Sequence, residues 1–326
     1  MCLQRCFLHG TSIFPWTVWV VTEQLQSGDS ELVVMGTGTS IGVPVVGCDC
    51  AVCQSDDSKN QRLRSGILVR APEGEFVIDT GPELRLQLLR NKATFIQAAL
   101  FTHAHADHIM GLDDLRIFGF RKERMALKAA EEQAAWDGVK FDADAAAKDN
   151  PGNIPLYCEQ LVEDGIRQVF HYAFTDPDSH SHRYAAPRLG FERIQPNQPL
   201  NVLGLDVLPI RLHHGKLPVL GFRIGNVAFC TDVSTIPADS RKLLEGLDVL
   251  ILDALRYQPH PTHLSVSQAV KWAERLRPKQ TYLTHMSHDL EYRQLLHELP
   301  DGIEPAYDGL SIPIVVTQSG PLPESC

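Results

Sequence analysis

The stretch AALFTHAHADH, residues 98–108, decides how this chain is read. Its first four residues, Ala98 to Phe101, are an apolar run of strand length. The remainder places His103, His105, Asp107 and His108 within six positions. Uncharged histidines at a buried strand end would each need a hydrogen-bond partner, and a merely solvated loop gives no reason for three imidazoles. Imidazole and carboxylate together are the ligand set of zinc and similar divalent ions. In a tight turn, His103 and His105 can face one ion while Asp107 and His108 face another.

A two-ion site needs further ligands, and the same juxtaposition recurs downstream. His214 follows the apolar run at Ile210–Leu212, Asp232 follows Val227–Thr231, and His285 follows Tyr282–Thr284. Alone, each reads as a hydrogen-bonded structural residue. In this order, each closing an apolar strand, they read as a set.

The surrounding pattern supplies the scaffold. Leu32–Met35, Gly66–Arg70, Phe76–Asp79 and Ala98–Thr102 read as one group of strands. Leu205–Leu212, Leu220–Ile224, Val227–Thr231, Val249–Asp253 and Thr281–Thr284 read as a second. Continuous apolar runs fit strands covered on both faces, and Gly225-Asn226 is a hairpin signal. Pro82 is expected to open a helix carrying Leu84, Leu88 and Leu89, and Pro237 another. Ser265 and Gln268 form a capping box ahead of Val266, Ala269, Val270 and Ala273. The alternation predicts two sheets between helical layers. Residues 121–150 look like an inserted surface helix and loop, and 175–190 like a polar, turn-rich insertion; either decorates the surface or covers a site.

The order of ligands resembles the metallo-β-lactamase fold superfamily. The H-x-H-x-D-H motif, a later His, a later Asp and a last His fall at His103, His105, Asp107, His108, His214, Asp232 and His285. Asp79, in Ile78-Asp79-Thr80-Gly81, matches that superfamily's early aspartate, which supports ligands rather than binding an ion. The resemblance spans residues 31–315 and implies an αββα four-layer sandwich, here a single domain over 31–326. Within the superfamily, Gly36-Thr37-Gly38-Thr39-Ser40, Gly47-Cys48-Asp49-Cys50-Ala51-Val52-Cys53, His214-Gly215-Lys216-Leu217 and Leu283-Thr284-His285-Met286-Ser287-His288 resemble PhnP-type phosphoribosyl cyclic phosphate phosphodiesterases. Segment 121–150 departs from that type.

By themselves Cys48, Cys50 and Cys53 read as free loop thiols, a redox pair or metal ligands. The resemblance adds His288 and implies a closed Cys₃His site for a structural zinc. It also implies a dinuclear centre of zinc or manganese, with Asp232 between the ions and an activated bridging water attacking phosphorus. His263, in Thr262-His263-Leu264-Ser265, is where that branch places a residue acting on the reacting phosphate; by itself it reads as a solvated loop histidine. Asp107 and His263 are thus the catalytic candidates beside the metals. Lys216 and Arg256 are either phosphate anchors or surface ion-pair partners, and His180, His182, His213 and His260 read as solvated. The Gly36 and Gly38 loop reads as a tight turn, since it lacks the lysine of a phosphate-binding loop.

Composition sets outer bounds. The 326 residues carry 30 basic and 40 acidic side chains, a net charge of −10, and 44% are hydrophobic. That excludes a wholly disordered chain and argues against gripping long nucleic acid through phosphates. The early apolar run Ile13–Val21 contains Pro15 and is about half a membrane span. No small-residue cleavage site follows it, so residues 1–30 read as an extension. Eight scattered cysteines do not make a disulfide scaffold, which points to a reducing cytoplasm. The expectation is a dinuclear hydrolase of a small phosphodiester, a cyclic phosphate first, with no membrane or long nucleic-acid partner and homodimerisation left open. The alternatives are a nuclease of the tRNA-processing type and a non-catalytic binding protein on the same fold.

Overall fold

A computed structural model describes residues 30–149, 152–175 and 185–315. Nearly all of the N-terminal extension, Cys2, Cys6, Cys326, His180, His182 and the centre of the 175–190 segment lie outside the described residues.

Two seven-stranded sheets face each other. The first is built from β1 (Ser30–Gly36), β2 (Gly66–Ala71), β3 (Gly74–Ile78), β4 (Ile96–Leu100), β5 (Ile154–Cys158), β6 (Leu189–Arg193) and the last strand, β14 (Leu310–Ile314), which pairs with β1 at the edge. The second holds β7 (Leu200–Val202), β8 (Leu205–His214), β9 (Leu217–Ile224), β10 (Val227–Cys230), β11 (Val249–Asp253), β12 (Gln280–Thr284) and β13 (Ile303–Pro305), in the order β13-β12-β11-β10-β9-β8-β7. Strands β3 to β6 run parallel, as do β10 to β13.

Successive side chains of a strand point to opposite faces, and here both faces are covered. Val34, Ile67, Val69, Phe76 and Ile78 meet Val207, Phe222, Val227 and Phe229 between the sheets. Val33, Leu68 and Val77 turn outward beneath α1 (Leu84–Arg90), α2 (Ala106–Ile109) and α5 (Gln160–Val169). The second sheet is covered by α6 (Ala238–Leu243), α7 (Val266–Leu276) and α8 (Tyr292–Glu298). The result is an αββα sandwich.

Local signals held with small corrections. Ser265 and Gln268 form the reciprocal capping box of α7. Pro82 is not the first residue of α1: Leu84 N donates to Gly81 O, a turn precedes the helix, and Glu83 stands at the N-cap position without a side-chain capping bond. Leu89 faces solvent while Leu84 and Leu88 are buried. Strand β4 stops at Leu100; Thr102 N and Oγ1 donate to Asp79, and Thr102 O accepts from Leu220 N.

The helix anticipated in 121–150 starts earlier, as α3 (Arg116–Asp137), and α4 (Ala143–Asp149) follows it. Arg121 donates to Thr94 O, Lys122 to Asn153 O, and Glu123 pairs with Arg188. Thr94, Asn153 and Arg188 precede β4, β5 and β6, at the N-terminal ends of parallel strands. The His103–His108 motif follows the C-terminal end of β4, so this arm leaves the sandwich at the end opposite the motif and does not cover it.

Candidate metal centres

The candidate ligands collect at the C-terminal ends of the strands. Three of the residues there adopt left-handed backbone just past a strand: Asp79 (φ 64°) after β3, Asp232 (φ 56°) after β10 and His285 (φ 60°) after β12. Such conformations cost non-glycine residues about 1–3 kcal/mol and persist where the surroundings impose them. Here each one turns a side chain out of its strand toward a common point.

The structure brings the seven sequence candidates together. Donor atoms of His103, His108 and Asp232 lie within 4.8 Å of one another, as do those of Asp107, Asp232 and His285, and those of His214, Asp232 and His263. Asp232 is shared by all three groups. One of its oxygens is 3.2 Å from His108 Nε2 and the other 3.5 Å from His285 Nε2. His105 is exposed at the rim, its ring 4.5 Å from that of His103 and 5.2 Å from that of His214.

Supporting hydrogen bonds fix which imidazole nitrogen faces inward. His108 Nδ1 bonds Asp79 Oδ2 at 2.7 Å, His103 Nδ1 bonds Thr102 Oγ1 at 2.9 Å, and His214 Nδ1 donates to Thr262 O at 2.8 Å. Asp79 also accepts from Thr102 N and Oγ1. His103 Nε2 is left buried with no hydrogen-bond partner, and His108 Nε2 faces Asp107 and Asp232 oxygens at 3.2 Å without the geometry of a hydrogen bond. Buried polar atoms without partners are rare in folded proteins. Two such Nε2 atoms aimed at carboxylates and imidazoles are a donor set awaiting cations, so these residues fit divalent ions.

Electrostatics agree with that fit. Burial lowers the pKa values of His103 and His214, which favours neutral, ligating imidazole, and it lowers that of His263 as well. Burial also opposes charge on His108, but Asp232, Asp79 and Asp107 outweigh it and raise its pKa. Asp232 is desolvated too, yet His285 and His108 hold its carboxylate well below the usual range. The aspartates are compensated here by imidazolium charge, the part that cations would take.

His263, which opens toward the cluster, stacks on His285 with ring centroids 4.9 Å apart. Its Nδ1 is 3.1 Å from Asp253 Oδ1, at the end of β11. Asp253 is fully buried, burial raises its pKa, and its other oxygen accepts from Leu264 N. In the sequence Val249–Asp253 is a strand and Asp253 has no evident role. Its only signal is a carboxylate closing an apolar run, the same signal that marked Asp232.

The second cluster joins the 48–53 loop to the turn after β12. His288 Nδ1 lies 3.3 Å from Cys48 Sγ and 3.5 Å from both Cys50 Sγ and Cys53 Sγ. A tetrahedral zinc, with bonds of ~2.3 Å to sulfur and ~2.0–2.1 Å to nitrogen, spaces such atoms by about 3.5 Å. The set therefore fits zinc. The Cys53 backbone N–H lowers Cys50 to about 6, whereas burial raises Cys53 to about 11.

The remaining candidates stand apart. Lys216 is exposed on the β8–β9 turn. Arg256 donates to Gln258 O and Pro259 O. His213 is tied through its backbone to Thr235. The ring of His260 lies 5.2 Å from that of His263, and its Nδ1 is within hydrogen-bond reach of Thr262.

The sandwich and the clusters at its strand ends define a protein of the metallo-β-lactamase fold with residues that could hold metal ions. The chain belongs to the beta-lactamase superfamily, whose domain model matches residues 75–146 and 137–286. It is similar to a solved structure described as a new diphosphatase from the PhnP family, with 36% identity and a TM-score of 0.73, covering 88% of this chain and 97% of that one. An octanoyltransferase of Porphyromonas gingivalis is 34% identical over 282 residues, 85% of this chain; the chain spans 50% of that protein's length. A ribonuclease Z of Bradyrhizobium sp. is 23% identical over 296 residues, covering 82% of this chain and 93% of the relative. No helix among the described residues is long and apolar enough to cross a membrane.

Proposed function

We propose that the protein is a dinuclear metal-dependent phosphodiesterase acting on a small phosphate ester, a cyclic phosphate first. His103, His105, His214, Asp107, His108, Asp232 and His285 would hold two ions, zinc or manganese, with Asp232 shared. Divalent ions bound there supply a water acidified toward neutral pH and neutralise charge on the phosphoryl oxygens.

The chain's own residues do the rest. Asp79 orients His108, Thr102 orients His103, and the Thr262 carbonyl orients His214. His263, held by Asp253, stands beside the cluster; once its Nε2 takes up a proton it would stabilise charge on phosphorus or pass that proton to the departing alkoxide. Asp107 would act both as ligand and by keeping negative charge beside the nucleophile. Cys48, Cys50, Cys53 and His288 would bind a structural zinc.

The observation that carries this reading is the convergence of Asp232 with the Nε2 atoms of His103 and His108. A second substrate chemistry has its own support: the likeness to a PhnP-family diphosphatase favours testing a phosphoanhydride beside the phosphodiesters. An RNA substrate has less support, since the arm formed by α3 and α4 stands at the far end from the cluster and the net charge is −10. The five free cysteines among the described residues suit a reducing cytoplasm.

The test is a screen of purified, metal-quantified protein against ribose cyclic phosphates, cyclic nucleotides, bis-nitrophenyl phosphate and dinucleoside diphosphates. Turnover of a cyclic phosphate that disappears with chelation supports the reading. Activity on a thioester alone would overturn it.

A further inference from the structure

Past Glu123 the helix α3 runs on for fourteen residues, about 20 Å. Ala126, Leu127, Ala130 and Ala134 are half-buried along one side, and α4 follows the helix and packs on it. The opposite side carries Met125, Ala129, Glu132 and Trp136, all exposed. Their spacing of four, three and four is that of a seam between two helices. Trp136 is 87% exposed and Met125 59%, unusual for large apolar side chains on a helix already folded against a neighbour. Exposed apolar groups aligned in a stripe mark an interaction surface.

What covers the stripe follows from its order of residues, which complements itself when read backwards. A two-fold axis crossing the helix between positions 130 and 131 sets Met125 against Trp136 of the partner subunit, twice. The same operation sets Ala129 against Glu132 of the partner subunit. Lys128 falls one position from that glutamate, so the Lys128–Glu132 pair within each helix, at 3.6 Å, would join a four-charge group. A parallel pairing would instead set Glu132 against Glu132 of the partner subunit within the seam, which repels. An unrelated partner would need no such self-complementarity, whereas two-fold homodimers require it.

We propose that the α3–α4 arm is a self-association site, through which two copies pair antiparallel by Met125, Ala129, Glu132 and Trp136. The strip is narrow beside the roughly 800 Å² per partner of a standard interface, so the dimer is reversible and concentration-dependent. It leaves the two metal clusters at the outer ends, open to solvent.

The full chain is followed by sedimentation velocity over roughly 1–100 μM, the range in which contacts of this size exchange. The expected mass rises from 36.3 kDa toward twice that value. The double variant Met125→Ser/Trp136→Ser, with folding checked by circular dichroism, stays at the lower mass. Geometry is tested with Met125→Cys and Trp136→Cys. Each alone places its new thiols roughly 16 Å apart along the paired helices, whereas a mixture of the two places them face to face. The mixture should cross-link several-fold faster than either variant alone. A wild-type chain that stays monomeric throughout overturns the proposal. So does a dimer untouched by the double serine variant, or a Met125→Cys variant that cross-links to itself as readily as the mixture.

Discussion

Asp253 and His263 form a buried carboxylate–imidazole pair, Oδ1 to Nδ1 at 3.1 Å, that joins the end of β11 to the loop before α7. The carboxylate fixes the ring's tautomer, so Nε2 is the nitrogen left for chemistry at the cluster. His263→Ala should keep its metals and lose about 10²–10⁴ in kcat, the range for a positioned acid or base. Asp253→Asn keeps the shape but presents an amide, and a loss of about 10–100-fold is expected, as for outer partners of functional histidines. Both losses should shrink with nitrophenolate, which leaves without a proton. If His263→Ala hydrolyses an ester with an alkoxide leaving group at the wild-type rate, the assignment fails.

Asp232 contributes to three of the ligand groups. Asp232→Ala should therefore lower the catalytic metal content itself, whereas loss of a peripheral ligand such as His105 should only weaken it. Elemental analysis of the purified variant is the measurement. Full occupancy of both catalytic ions in Asp232→Ala would remove the shared-ligand role.

Asp308 ties three segments together. It accepts from Thr37 N and Oγ1 at 3.0 and 2.8 Å and from Leu63 N at 2.8 Å. Burial raises its pKa from 3.8 to about 7. The folded state thus holds this proton more tightly than the unfolded chain. Its contribution to stability is full below about 3.8 and is lost as pH rises through about 7. Other carboxylates, such as Asp57 held low by Arg293, slope the opposite way, so the test is a difference. Denaturant melts of wild type and Asp308→Asn should diverge in slope between those two pH values. Parallel curves would show that Asp308 does not titrate there.

Much of this architecture is legible in the sequence, and the parts that are not have physical reasons. The ligands were readable because each histidine or aspartate interrupts an apolar run, and their order was distinctive. Asp253 carries the same local signal, but its role exists only through His263, ten residues on. Strand β14 alternates buried and exposed residues along LSIPI, yet Pro313 argues against a strand; it is tolerated because β14 lies at the sheet edge. Strand β13 is three residues ending in proline and pairs only with β12 within its sheet. Arg62 sits in no motif. Its partners lie 225 and 228 positions away in the chain, beyond the reach of any local pattern.

Those long-range bonds connect the two metal centres. Arg62 is almost fully buried and donates to Ser287 O at 2.7 Å and Leu290 O at 2.6 Å. Burial lowers its pKa to about 10, so it stays charged at neutral pH. Its own backbone pairs with Val43, ahead of the cysteine loop. Met286 N donates to Thr37 O, fixing the residue that follows His285. The turn carrying His285 and His288 is thus held on one side by Arg62 and Thr37, and on the other by the three thiols around His288. Cys50→Ser should lose the zinc and lower stability, because zinc binding contributes folding free energy. It should also weaken the catalytic ion that His285 would bind, by about 10–100-fold, the usual cost of disturbing what orients a ligand. Arg62→Met leaves two buried carbonyls without a donor, at about 1–3 kcal/mol each, and should weaken the same ion while leaving the thiols to bind zinc. Metal titrations of both variants beside wild type, with folding followed by circular dichroism, separate the two supports. A folded Cys50→Ser protein that lacks its zinc but binds both catalytic ions with unchanged affinity would show the centres to be independent, with Arg62 and Thr37 sufficient to aim His285.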